Sequence, residues 1–429
     1  MSIDADPQVA AYGPLKLDRG TKQTGVRLYN ERLVLSLVRH HGALPKADLA
    51  RLTGLSPPTV SIIVRQLEAD GLLRKEAPQR GRIGQPSTPL SLNPDGAFSL
   101  GVKIGRRSCD IILMDFGGTV RHELHHTYPY PSPAPLLDLV RDGCAALALR
   151  LSREERARIA GVGIAMPFEL WNWEEEVGAP PGAMQAWRAF DFRAEAAKVC
   201  DYPVYLCNDA TAGCAAVYLF GHAASYPEFL YVFIAWFIGG GVVLNGNLFP
   251  GRSGYAGSLG QMLVPAGCED GRPVMKQLLH SASICVLARM VSDAGGDPRP
   301  IWESDDWAGV AAYLDPWIEG VAEGIALALV SAGSVIDFQA TIIDGAMPPA
   351  VRSRIVARVR DKFERLERRG LPRFDIVEGS IGYRARAIGG ASLPFLAKFM
   401  RDRELLFREP DDARSQDSVP THAGRPSAF

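Results

Sequence analysis

Residues 43–76 read ALPKADLARLTGLSPPTVSIIVRQLEADGLLRKE, and the punctuation of this stretch decides the fold of the amino-terminal part. Pro45 stands at a helix start and Gly54 just past its end, which brackets one short helix. Ser56 is placed to cap a second helix with Pro57 in its first turn, and Val60, Ile63, Val64 and Leu67 give that helix an apolar stripe that ends at Gly71. Two short helices joined by a tight Gly-containing turn form a helix-turn-helix. In such a unit the second helix enters the major groove, with its N-terminal residues at the base edges. Ser56, Pro58, Thr59, Ser61, Ile62 and Arg65 are therefore the candidate DNA contacts. Arg65 suits a guanine edge or a phosphate, and the hydroxyls of Thr59 and Ser61 suit either.

The flanks agree. NERLVLSLVRHH (30–41) spaces Leu33, Val34, Leu37 and Val38 by three and four, which predicts an amphipathic helix stopped at Gly42. LLRKEAPQRGRIGQPSTPLSLNP (72–94) reads as two strands around a Gly-rich loop, the wing of a winged helix, with Arg80 and Arg82 set to reach phosphates or a minor groove. Residues 21–90 hold 11 Lys and Arg against 5 Asp and Glu, a net of +6, so the rest of a chain of net charge −1 carries −7. A basic module on an acidic body suggests that only the amino-terminal part meets a polyanion, and the helix-turn-helix pattern within it makes a double-stranded DNA operator the expected partner.

Beyond residue 97 the pattern changes. Short apolar runs at 102–104, 111–114, 162–165, 204–206, 230–234 and 242–244 are separated by helical stretches such as 136–151 and 210–218, which predicts an α/β body with mixed sheets. Gly239–Gly241, Gly251, Gly254 and Gly257 cluster at strand ends, where they serve tight turns or close backbone approach to a ligand. At 429 residues and 47% hydrophobic content there is ample material for two or three domains. The expected division is a flexible 1–25, a winged helix-turn-helix over 26–93, a two-lobed body over 97–405, and a polar, disordered 409–429. No stretch approaches 18 uninterrupted apolar residues, no secretion signal opens the chain, and seven scattered cysteines suggest no disulfide framework, so a cytoplasmic protein without a membrane partner is expected.

The 43–76 stretch together with GRIGQPSTPLSLNP closely resembles the DNA-binding domain of ROK-family transcriptional regulators, of the sugar-responsive xylose and N-acetylglucosamine type. Many members carry GRxGRP in the wing; here Gln85 stands in place of the second arginine. The resemblance continues through LGVKIGRRSCDIILMDFGGTV (100–120), GVGIAMPF (161–168), YPVYLCNDATAGCAAVYLFG (202–221) and FIGGGVVLNGNLFPGRSGYAGSLGQ (237–261), the last resembling the family signature. It implies a two-lobed, actin-like sugar-kinase (ribonuclease H-like) body behind the winged helix.

Read residue by residue, the resemblance also implies lost catalysis. Active members carry DxGGT in the first phosphate loop, where this chain has Lys103, Ile104, Gly105, Arg106 and Arg107; the second loop, GTG, is Ala235, Trp236 and Phe237. A cation replaces the acid, and bulky side chains fill both halves of the nucleotide cradle. Arg106 and Arg107 read as a solvated surface, the alternative being some other anion. Asn208 and Asp209 match the sugar-binding segment, with Cys207 in place of a glutamate, and are read as ligand contacts, the alternative being caps of the following helix. Gly240 and Asn245 are expected in the same wall, and Ser258 and Gln261 replace a glutamate and a histidine that contact sugar in the family. Trp171, Trp173 and Trp187 flank the cleft as sugar-stacking faces or as a hydrophobic lid. Cys268 stands alone where relatives hold a zinc cluster, so neither metal nor cofactor is expected. The reading is a homodimeric, sugar-sensing DNA-binding regulator of carbohydrate genes, without enzyme activity. The alternatives are an atypical sugar kinase and a ligand-blind DNA-binding dimer.

Overall fold

A computed structural model describes residues 23–78, 87–221 and 225–400. The wing-loop candidates Arg80, Arg82 and Gln85, most of 1–25, and the tail 409–429 lie outside the described residues.

The winged helix is built of α1 (Gln23–His41), β1 (Ala43–Leu44), α2 (Lys46–Thr53), α3 (Pro57–Ala69), β2 (Leu73–Lys75) and β3 (Leu90–Leu92), with the strands in the antiparallel order β1-β3-β2. Its punctuation is as the sequence predicts. Gly54 closes α2 at φ 70°, and the Ser56 side chain accepts from the Thr59 backbone N–H at the head of α3. One boundary shifts, because α1 already begins at Gln23 and takes in residues expected in the flexible leader.

The body comprises two lobes of matching design. The first holds β4 (Phe98–Ile104), β5 (Ser108–Asp115), β6 (Val120–Thr127), α4 (Pro133–Ala148), α5 (Arg153–Arg156), β7 (Ile159–Met166), α6 (Glu174–Val177), α7 (Phe192–Val199) and β8 (Val204–Asn208), followed by α8 (Asp209–Phe220). The second holds β9 (Phe229–Ile234), β10 (Gly239–Leu244), β11 (Asn247–Leu248), the hairpin β12 (Leu263–Glu269) and β13 (Arg272–Gln277), α9 (Leu279–Ala282), α10 (Ile284–Asp293), α11 (Pro300–Glu303), α12 (Ala311–Val335), β14 (Ala340–Gly345), α13 (Pro349–Arg365) and β15 (Asp375–Glu378). The first sheet runs β6-β5-β4-β7-β8 and the second β11-β10-β9-β14-β15. In each, an antiparallel meander of three strands is continued by two parallel strands on the far side of the first. This repeated topology is what makes the body two-lobed, and it sets the turn after β4 and the turn after β9 in equivalent places.

Residues 308–335, which include α12, are long and apolar enough to cross a membrane, 18 consecutive residues among them reaching a mean hydropathy of 1.5. Their apolar side chains Trp317, Val321, Ile325 and Leu329 are instead buried in the second-lobe core against α13 and β14.

The last helix, α14 (Ala385–Phe399), returns to the first lobe and packs closely on α8, β7 and β4. Glycines permit this approach. A Cβ on Gly389 would stand 1.8 Å from the Ala212 carbonyl oxygen of α8, and one on Gly163 of β7 would stand 1.9 Å from the Gly390 oxygen. The far end of α14 enters the core of the winged helix: Ala391 and Phe395 share one buried cluster with Val34, Leu35 and Val38 of α1. Arg32 donates to the Ala397 carbonyl at 2.8 Å, and Arg39 donates to the Phe116 carbonyl at 2.9 Å while stacking over the Phe116 and Phe220 rings.

Candidate functional site

In the winged helix, α3 buries Val60, Ile63, Val64 and Leu67 and turns its other face outward. Ile62 is 66% exposed, Pro58 is exposed, and Arg65 is exposed with no hydrogen bond or ion pair among the described residues. Ser56 and Thr59 are less available than the sequence suggests, since their hydroxyls lie 2.8 Å apart and Ser56 also caps the helix. Ser61 is half-buried. An apolar Ile62 and a free Arg65 one turn apart suit a thymine methyl and a guanine edge or phosphate, respectively.

In the body, the convergence point is the start of α8. Asn208 is its N-cap, with Oδ1 accepting from the Ala210 N–H at 3.0 Å, so the capping role is real. Asp209, next in line, is not free. Its Oδ2 accepts from Arg386 Nη1 at 3.1 Å, and both side chains are mostly buried. Arg386 comes from the first turn of α14, whose approach is fixed by buried Asp344 at the end of β14. That carboxylate accepts from the Gly382 N–H at 3.1 Å and the Ile381 N–H at 3.3 Å, and pairs with Arg352.

Across from α8, a Cβ on Gly239 would meet the Ala210 side chain and one on Gly241 would meet Cys214. Gly240 is pressed between Tyr231 and the Gly257 carbonyl of the loop that carries Ser258. The glycine run therefore serves chain-on-chain approach: Gly239 and Gly241 let β10 lie against α8, which Asn208 caps, and Gly240 lets the loop that carries Ser258 close on β10. Gln261 is exposed at the end of the short turn after Ser258. Asn245 is not brought to the group. With φ 53° beside Gly246 at φ 66°, it forms the two-residue turn of the β10–β11 hairpin. The Gly246 carbonyl accepts from Tyr218 near the other end of α8, about 13 Å along that helix from Asp209.

The turns after β4 and β9 meet at one arginine. Arg107 is exposed as expected, but Arg106 is not on a solvated surface. Its guanidinium lies over the rings of Trp236 and Phe237 at 4.8 Å each and near that of Trp173 at 5.6 Å. The expectation failed because the rings that fill the nucleotide space also build a cage that an arginine can enter by cation–π stacking. Burial, then the neighbouring Arg386, push its proton affinity well below the ordinary arginine value, with Cys285 and Asp209 acting the other way. The Ala235 and Trp236 carbonyls accept from the Ile284 and Cys285 N–H groups at the head of α10, so those donors are not turned to a phosphate. Lys103, in the place of the loop's acid, is buried, donates to Ser108 and pairs with Asp110 at 2.9 Å.

Of the three tryptophans, only Trp173 reaches the cleft, where it meets Phe237 edge-on at 4.8 Å. Trp187 is core, its Nε1 donating to the Pro131 carbonyl, and Trp171 lies under Arg188. A second cross-lobe contact joins Phe168 and Glu169 to Tyr255. Arg386 escapes sequence reasoning because nothing local marks it, and the Trp173 contact with Phe237 joins two segments far apart in the chain.

The ROK family model matches residues 99–289 and the MarR family model residues 29–83. The xylose repressor of Bacillus spizizenii is 28% identical over 242 residues, 56% of this chain and 62% of the repressor, so the chain matches less than two thirds of that relative's length. Among solved structures, a ROK family transcriptional regulator described as a homolog of the E. coli MLC protein aligns with a TM-score of 0.62 over 87% of this chain and 97% of its own, at 20% identity. A ROK family glucokinase from Streptomyces griseus, in complex with glucose and AMPPNP, aligns with a TM-score of 0.55 over 69% of this chain and 99% of its own, also at 20% identity.

Proposed function

We propose that this chain, which carries a ROK-family domain behind a MarR-type helix-turn-helix, is a sequence-specific DNA-binding transcription regulator of carbohydrate genes whose kinase-like body senses a sugar or sugar derivative instead of phosphorylating it. The observation that carries the reading is α14. Its first turn holds Arg386 on Asp209, and its last turns share a core with α1 of the winged helix. A helix of 15 residues, about 22 Å long, thus joins the candidate effector site to the DNA-binding unit. A ligand that favours one closure of the two lobes shifts α14 and with it the winged helix, by no more than its difference in affinity for the two states. In a cytoplasmic homodimer on a palindromic operator, that shift changes the spacing of the two recognition helices and releases the DNA. A kinase requires an open phosphate cradle and a carboxylate free to accept a proton; here Arg106 and its rings occupy the first, and Arg386 engages the second.

The test is selection of genomic fragments by the purified chain at about 0.15 M salt, repeated with pooled sugars and sugar phosphates. One enriched palindrome, released by one pool, is the expected result. Enrichment without sequence preference would sink the reading. Within it, Arg65→Ala is expected to weaken operator binding by about 1–3 kcal/mol, roughly 5- to 150-fold, while affinity for random DNA changes little. Titration of labelled operator against a scrambled duplex measures both. An equal loss on the two duplexes would make Arg65 a phosphate contact instead.

A further inference from the structure

We propose that the cleft receives an anionic group of the effector, a carboxylate or phosphate on a sugar frame, between Arg106 and Arg386. This rests on the reading of the body as an effector domain. The rings of Trp236 and Phe237 lie against the Arg106 guanidinium, but stacking leaves its in-plane N–H groups unused. Arg106 Nη1 is buried and has no hydrogen-bond partner. Arg386 gives Nη1 to Asp209, while its Nε is likewise buried without an acceptor. Each is a donor withdrawn from water with nothing to receive it, a state that proteins rarely leave uncompensated.

The charges point the same way. Lys103 is matched by Asp110 and Arg386 by Asp209, whereas Arg106 has no ion pair among the described residues, which leaves one positive charge over among them. Arg386 lies close enough to depress the proton affinity of both Arg106 and Lys103, so the three cations form one field. Exposed Arg107 adds to it, while the Cys285 thiol and the Asp209 carboxylate, already engaged by Arg386, act on Arg106 the other way. The two wall positions that are glutamates in the family are Cys207 and Ser258 here, so no acid from either opposes an anion. Arginine forks bind planar carboxylates and phosphates through paired, charge-assisted hydrogen bonds. Arg106 and Trp173 belong to the first lobe, and Trp236 and Phe237 to the second, so an anion seated here is sensitive to the closure of the cleft.

Calorimetric titration of the full chain with matched pairs tests this: glucose against gluconate, glucuronate and glucose 6-phosphate, with inorganic phosphate alone as a further arm. At least one anionic sugar is expected to bind about tenfold or more tightly than its neutral parent. Arg106→Met, which keeps an apolar chain in the ring cage, is expected to erase that preference, and Arg106→Lys to retain part of it. Should the methionine variant fail to fold, the lysine variant and the salt dependence of wild-type binding carry the test. A wild-type chain that prefers no anionic sugar overturns the proposal, as does a preference that survives Arg106→Met. Inorganic phosphate binding as tightly as its sugar ester overturns the sugar part. Operator selection run in parallel separates the failures, because a specific operator released by a neutral sugar leaves the regulator standing and removes only the anion.

Discussion

Gly389→Ala is expected to destabilise the protein by about 3 kcal/mol or more, although alanine is the better helix former by about 1 kcal/mol. The added methyl would lie 1.8 Å from the Ala212 carbonyl oxygen and 2.2 Å from its carbon, both backbone atoms of α8 that no rotamer change can move aside. Relief requires α14 and α8 to separate, which opens the core around Phe395 and pulls Arg386 off Asp209. A mid-helix glycine with room around it provides the control. At Gly320 in α12 the nearest heavy atom to an added Cβ is the Ser281 oxygen at 4.0 Å, so Gly320→Ala should stabilise by about 0.5–1 kcal/mol. Thermal unfolding of the two variants should move in opposite directions, with Gly389→Ala falling by roughly 5–10 °C. A neutral Gly389→Ala would mean that α14 packs loosely, and the proposed link from effector site to winged helix would lose its rigid part.

What could be read from the sequence divides by range. The helix-turn-helix was legible because Pro45, Gly54, Ser56, Pro57 and Gly71 act within a few residues of themselves, through φ angles and capping bonds. The strands of both lobes were legible as apolar runs. Asn245 was misplaced even though its local signal, Asn-Gly between two strands, marks a hairpin turn; the family signature drew attention to the ligand wall instead. Arg106 was misplaced for the opposite reason. A cation in a strand turn reads as solvated until the rings of Trp236 and Phe237, more than a hundred residues on, are folded over it. Arg386 lies 177 residues from Asp209 and belongs to no motif, so only the fold reveals the pair. The two glycines at the α14 crossings were equally silent, since close helix approach is a property of two segments at once.

The Asp209–Arg386 pair offers the sharpest contrast between a sensor and a kinase. In an enzyme, a catalytic base is held free to accept a proton, and its removal abolishes turnover with little cost to folding. Here the side chains of Asp209 and Arg386 are only 18% and 17% exposed, and Lys103 and Arg106 stand in the same field. Asp209→Ala therefore leaves Arg386 buried beside two other cations with its carboxylate gone, and the expected cost is about 3–5 kcal/mol of stability. The double variant Asp209→Leu with Arg386→Met replaces the pair by apolar groups of similar size. It should be more stable than Asp209→Ala alone, because the uncompensated charge leaves with its partner. Chemical denaturation of wild type, Asp209→Leu, Arg386→Met and the double variant closes a cycle whose coupling measures the pair. A coupling well above about 1 kcal/mol makes Asp209 an anchor for α14, and hence for the winged helix at its other end. A coupling near zero would mean that water reaches the carboxylate, as it must in a site where Asp209 is free to take a proton from a sugar hydroxyl.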